Sequence, residues 1–363
     1  MQTTKLFSFP LFVLTIVLAF WGCSKSPTSP ATTLNADEQD TLLQSMAANV
    51  IVPNYSDIDT KVETLSADIS VLADSTRRTD GNLAICQKDW VAARTAWESC
   101  EGFLIGPVES LNVDPNIDTW PVYYSELDSV ANSSVSFSQQ NLNNLEQDLK
   151  GFHAIEYLLF GDSGIRKAPN LTASDISYLL ALVQNVKGNV DLLVQAWDTT
   201  NSSSYYYSFI TAGAGSTIYS TRRAAFQDIV RTMADICDEV GPEKLGGPFA
   251  AQAPQLQESP FSNTSIQDFI HNIQGVQNIY EGTYGASHGE GISTLVRAND
   301  LSLDNEITGK INTAIAALQA ITDNFTTAMT AQPTQINNAI TALATLHDEI
   351  ANKLVPYINQ YTN

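Results

Sequence analysis

The chain has 363 residues, room for two domains without demanding them, and carries 39 acidic against 18 basic side chains, a net charge of −21. That balance argues against nucleic acid as a partner and suits cations or a solvated acidic surface. Four cysteines without a C-x-x-C pair suggest no cysteine zinc site.

Residues 1–22 read as a targeting segment. Lys5 supplies the basic start, and Leu6 to Phe20 form an apolar run too short for a comfortable membrane span. Gly22-Cys23 then reads as a bacterial lipoprotein processing site, with Cys23 as the lipidated residue; an ordinary cleaved signal is the alternative. Residues 23–36, rich in Ser, Thr and Pro, form a flexible tether. Cys86, Cys100 and Cys237 remain, either as one disulfide and a free thiol or as buried thiols.

From Asp37 the periodicity is helical. Asn35 or Asp37 caps a helix through Leu42, Leu43 and Met46, Pro53 interrupts it, and Ile58, Val62, Leu65, Ile69 and Leu72 resume. A helix over Asn82–Ile105 stops at Gly106-Pro107 and carries Arg94, Trp97, Glu98 and Glu101. Asp118 and Trp120 come next, in a loop. A helix from Gln139 to Phe160 contains His153 and Glu156, and another spans Ser174–Trp197. The polar, Tyr-rich stretch after Asn201 marks a domain boundary. Arg222–Val240 is helical to Gly241-Pro242; an irregular stretch runs on to Asn263, and Ser265 caps a helix to Gly282. Glu306–Met329 and Gln335–Tyr361 close the chain as long amphipathic helices, with His347 on an apolar stripe as a packed core histidine.

The chemistry gathers around Gly151-Phe-His153-Ala-Ile-Glu156. Residues at i and i+3 share a helix face, and a carboxylate in so apolar a segment needs a donor, a cation or a metal. Glu98 and Glu101 repeat that spacing on a second helix. With Asp118 in the loop between, these pairs can converge on one ion, a mixed N/O set that suits iron, zinc, manganese or copper. A buried His–Glu hydrogen bond pinning two helices is the plainer alternative. Gly151 would let another helix approach.

The G-x-H-x-x-E pattern of Gly151, His153 and Glu156 resembles the signature of the imelysin-like family of bacterial envelope proteins. The segments Arg94–Phe103, Asn116–Pro121, Glu258–Ser262 and Asp268–Gly282 are similar to further regions of that family, and the likeness runs from about Asp37 to Tyr361. It implies an all-α fold of two related helical bundles, residues 37–205 and 206–363, with a cleft between them. Arg94, Trp97, Trp120, Glu258, Ser259, Phe261, Ser262, Asn278 and Tyr280 would line that cleft. A weak internal repeat pairs Gly151 with Gly275 and puts Gln277 and Tyr280 where the first half has His153 and Glu156.

Residues and resemblance together point to a metal-binding lipoprotein of the cell envelope, lipid-anchored on an outer-membrane, periplasmic or surface face. It would hold one divalent or ferric ion, iron in preference to zinc or copper, and serve metal uptake with an envelope transporter as partner. His153, Glu156, Glu101, Glu98 and Asp118 are the expected ligands. Imelysin-like proteins are also classed as metallopeptidases, but H-E-x-x-H is missing from this sequence. A peptide- or glycan-binding module using Trp90, Trp97, Trp120 and Tyr280 is a third reading.

Overall fold

The computed structural model describes residues 33–122, 124–133, 137, 142, 144–162 and 164–363. Cys23, the apolar leader and most of the tether lie outside the described residues. Among the described residues the fold is all-α apart from a short antiparallel ladder of Thr283–Tyr284 with Ser287–His288. The described residues belong to one compact unit.

Asn35 caps Ala36–Met46 by a reciprocal box: its side chain accepts from the Glu38 N–H, and Glu38 accepts from the Asn35 N–H. Pro53 does not break the helical run. The chain passes through a π turn, Ala47–Ile51, and continues as Val52–Ala73 with Pro53 in its first turn. Wider i→i+5 bonding makes room for a residue with no N–H to give. The same device carries the chain past Pro242 at Glu239–Gly246, and past Pro356 at Ile350–Leu354. Gly241-Pro242 therefore leaves Arg222–Asp238 without a sharp end.

Other boundaries also shift. The helix expected over Asn82–Ile105 is Asp80–Glu98, followed by the 3-10 turn Glu101–Phe103. Ser99 Oγ donates to the Thr95 carbonyl at 2.7 Å where that helix ends. The motif helix begins at Gly151, not Gln139; Gly151 has φ +77°, a left-handed value no helix interior accepts. Glu306–Met329 is divided between Leu301–Gln319 and Phe325–Ala331, parted where Asn324 caps the second. Thr264, rather than Ser265, precedes Ser265–Glu281. The His347 side chain is a third exposed, with Nδ1 3.5 Å from Asp348 Oδ1, so it is not a core residue. Cys86, Cys100 and Cys237 are buried free thiols.

The helices sort into two groups. Val52–Ala73 lies against Asp80–Glu98 and Ala173–Ala196, and the motif helix Gly151–Phe160 packs on the latter two. In the second group Ser265–Glu281 packs on Leu301–Gln319, and Arg222–Asp238 on Pro333–Glu349. Ala36–Met46 packs on Arg222–Asp238 and Ile292–Arg297, elements of the second half. The groups meet where Asp80–Glu98 and the Glu101–Phe103 turn press on Ser265–Glu281. There a Cβ on Gly102 would stand 2.5 Å from Val276 N, and one on Gly275 2.6 Å from the Ser99 carbonyl oxygen. Only glycines allow backbones to come this close.

Candidate functional site

At that junction lies a buried cluster of charge. Arg94, near the end of its helix and 1% exposed, reaches three carboxylates. Its guanidinium pairs with Asp118 and Glu98, and Nη2 lies 2.6 Å from Glu258 Oε1. Asp118 follows the short helix Asp114–Ile117, and its Oδ2 accepts from Trp97 Nε1 at 2.6 Å. The close seat of the motif helix brings Asp118 beside His153: a Cβ on Gly151 would stand 2.2 Å from the Ile117 carbonyl oxygen. Gly151 thus lets the Asp118 segment approach the turn that carries His153.

His153 faces three carboxylates. Its Nε2 lies 3.2 Å from Asp118 Oδ1 and 3.5 Å from Glu258 Oε1, and its Nδ1 lies 3.7 Å from Glu156 Oε2. Neither ring nitrogen is aligned for a hydrogen bond. Burial disfavours a charged imidazole, yet Asp118, Glu156 and Glu258 together raise its pKa well above the ordinary value. Glu156 is committed on its other oxygen. Oε1 accepts from the Phe261 N–H at 3.1 Å, the Ser262 N–H at 2.8 Å and the Ser262 hydroxyl at 2.7 Å. Glu156 thereby ties the motif helix to the loop of the second half, while its Oε2 faces His153.

Burial pushes Asp118 and Glu258 toward neutrality, but cations prevail. Arg94 and His153 hold Asp118 well below the carboxylate range. Lys244, His153 and Arg94 hold Glu258 at about 2. Glu98 and Glu101 differ: burial raises both, against Arg94 for Glu98 and reinforced by Glu98 for Glu101. Asn272 Nδ2 donates to Glu98 Oε2 at 2.5 Å and to Glu101 Oε2 at 2.9 Å, bridging the pair from the second half. Asp268 is raised to about 7 by burial, against the pull of Arg94 and Ser259.

Two trios have ligand atoms within 4.8 Å of one another: Asp118, His153 and Glu258, and Glu98, Glu101 and Asp118. The sequence-derived set is therefore divided, with Asp118 shared. The expected i, i+3 face of Glu98 and Glu101 does not form, because the helix ends at Glu98, yet the 3-10 turn still returns Glu101 to it. Glu258, read from the sequence as a cleft residue, stands among the ligand-type groups around His153. Trp97, Ser262 and the Phe261 backbone also reach the site, while Ser259 is buried with its N–H given to Ser265 Oγ. Trp120 is half-buried at the rim, its Nε1 3.3 Å from the Gln257 carbonyl. Tyr280 donates to Asp304 at 3.0 Å and is turned to Leu301–Gln319. Asn278 sits half-buried on the same helix.

Lys244 also belongs to the cluster, although nothing in the sequence around it points there. It lies in the π turn Glu239–Gly246, 4% exposed, with Nζ 3.3 Å from Glu258 Oε1 and 2.9 Å from Glu239 Oε1. A lysine amid Glu239, Pro242 and Glu243 reads as a surface residue; only the π turn directs it inward. It lines a cavity of about 360 Å³ shared with Glu101, Asp114, Asp118, Trp120 and Glu239, which leads to the cluster from outside. Among the described residues no helix is long and apolar enough to cross a membrane.

The family model for imelysin matches residues 51–351. Iron-regulated protein A of Synechococcus elongatus is 29% identical over 321 residues, covering 87% of this chain and 86% of that protein. Two crystal structures share the fold. An iron-regulated protein A precursor from Parabacteroides distasonis has a TM-score of 0.82 at 22% identity, covering 92% of this chain and 97% of its own. An imelysin-like protein from Psychrobacter arcticum has a TM-score of 0.73 at 12% identity, covering 90% and 97%. The chain belongs to the imelysin family.

Proposed function

We propose that this protein binds a metal ion, iron in preference to zinc or copper, at Asp118, His153 and Glu258. The observation that carries the reading is the trio itself. One imidazole nitrogen and two carboxylates, from both halves of the chain, lie within 4.8 Å of one another in a buried site. His153 has no aligned hydrogen bond on either nitrogen, and Glu258 Oε2 is buried without a partner. Such orphaned atoms fit an ion. A set of one nitrogen and two oxygens suits iron, zinc or manganese over a thiophilic ion. Asp118 Oδ1 and Glu258 Oε1 also hold Arg94, so the guanidinium would sit beside the ion and temper the charge of the set. The name of the Synechococcus relative, iron-regulated protein A, supports iron. A bound ion would supply Lewis acidity or simply be stored; the protein's own residues bind it, exclude water and hold a proton on His153 until it arrives.

That proton makes the reading testable. With the His153 pKa raised, the imidazole must lose its proton before it can ligate, so binding releases protons and strengthens with pH. Anaerobic calorimetric titrations of ferrous ion, with zinc and copper in parallel, should show one ion bound with proton release. His153→Ala and Glu258→Gln should each weaken binding beyond the roughly 10–100-fold typical of a residue outside the coordination shell. Equal binding by wild type and both variants refutes the site. Hydrolysis of a casein-type substrate, lost in His153→Ala, would instead favour a peptidase. Attachment to the envelope through Cys23, and service to a metal transporter there, complete the proposal; membrane fractionation of Cys23→Ser tests the anchor.

A further inference from the structure

A second polar pocket, of about 430 Å³, lies apart from the charged cluster. Leu111, Asn116, Lys150, Asn185, Asn189 and Leu192 line it. Its volume falls within the range of small-molecule sites.

Lys150 is its unusual member. The residue is 5% exposed, yet among the described residues its Nζ meets one group only, Asn116 Oδ1 at 3.1 Å. Elsewhere in the protein, buried Lys244 and half-buried Lys187 are each paired with carboxylates. An ammonium has three donors, and Lys150 uses one. Burying such a charge without an anion is costly. Burial lowers the Lys150 pKa, and Glu146 opposes this only at a distance. Asn185 is also 5% exposed, and its Oδ1 is buried without a partner. The pocket thus offers spare cationic donors and, just behind its wall, a spare acceptor that a turn of the Asn185 amide would present. Leu111 and Leu192, 43% and 40% exposed, add apolar surface to it.

We propose that this pocket binds a small organic anion whose carboxylate meets Lys150 and whose neighbouring O–H or N–H donates to Asn185 Oδ1. A hydroxycarboxylate and an amino acid share that chemistry; the leucines favour one with a short apolar tail. The inference does not depend on any ion at His153.

The test is calorimetry and thermal melting of the full chain with lactate, malate and citrate in one arm and leucine and alanine in the other. Acetate, which lacks the second donor, and inorganic phosphate serve as controls. One arm should bind at least about tenfold more tightly than acetate and raise the melting temperature. Lys150→Met should abolish that binding, and Asn185→Leu should weaken it by at least about tenfold. Without ligand, Lys150→Met should melt at or above the wild-type temperature, since it removes a buried charge with no anion. A lysine kept only to hold Asn116 would destabilise the fold when removed. The proposal falls if Lys150→Met lowers the melting temperature, if neither arm binds at millimolar concentration, or if Asn185→Leu binds as wild type does.

Discussion

Arg94→Met puts the electrostatic account of the site under direct strain. The guanidinium is 1% exposed and neutralises Asp118, Glu98 and Glu258 together. Methionine fills much of the same volume and supplies no charge. Removing one partner of a buried ion pair costs roughly 3–5 kcal/mol, because the other partners stay buried. Burial works against the charged form of Glu98, which places the expected loss near the lower end. In a domain of this size that corresponds to a fall of roughly 6–10 °C in melting temperature, at about 2 °C per kcal/mol. The freed oxygens of Asp118 and Glu258 would then attract a cation more strongly than in the wild type. At about 100 times its dissociation constant an ion returns about 2.7 kcal/mol. Thermal melts of both proteins, with chelator and with ferrous or zinc ion, measure both effects. A variant that melts within about 2 °C of wild type, or gains no more from the ion than wild type does, refutes the reasoning.

Three further changes probe other parts of the structure. Asp268 and Asp114 are raised to about 7, chiefly by burial. The folded state therefore keeps protons that the unfolded chain releases near pH 4, a contribution present at low pH and lost as pH rises through about 7. Metal-free protein should melt at falling temperature from about pH 5 to 8, and Asp268→Asn should flatten that slope. Glu258, held at about 2, acts in the opposite sense: its contribution is present above its ordinary pKa and is lost as pH falls toward about 2. Glu156→Ala strips the acceptor from the Phe261 and Ser262 amides, at about 1–3 kcal/mol for each group left buried. Hydrogen exchange should quicken at those amides while Asp80–Glu98 stays protected; unchanged exchange would dismiss the tie. Gly275→Ala drives a Cβ against the Ser99 carbonyl and should cost about 1–3 kcal/mol, read by denaturant melts.

Much of the fold is legible in apolar periodicity, since Ile58, Val62, Leu65, Ile69 and Leu72 are all buried as their spacing requires. Pro53 and Pro242 mislead because the π turns that accommodate them leave no compositional mark. At the site, His153 and Glu156 are visible because they lie three residues apart in an apolar helix. Glu258 joins His153 and Asp118 across a long separation in the chain, where spacing carries no information, and Lys244 reaches the cluster through Glu258. Asn272 is hidden for the same reason, although it bridges Glu98 and Glu101 from the opposite half.

Backbone seated on backbone at Gly102 and Gly275 leaves the two helical groups no slack along their seam. A clam-shell motion would have to part this contact and pull Glu156 from the Phe261 and Ser262 amides in the same step. An ion held at the junction would instead come and go through the cavity beside Glu101, Trp120 and Lys244, past side chains that swing singly. Its residence time is then set by rotamer changes such as that of Lys244, not by domain closure. Exchange should accordingly respond to substitution at Lys244 and be nearly indifferent to solvent viscosity, the behaviour of a fixed holder rather than of a hinged carrier.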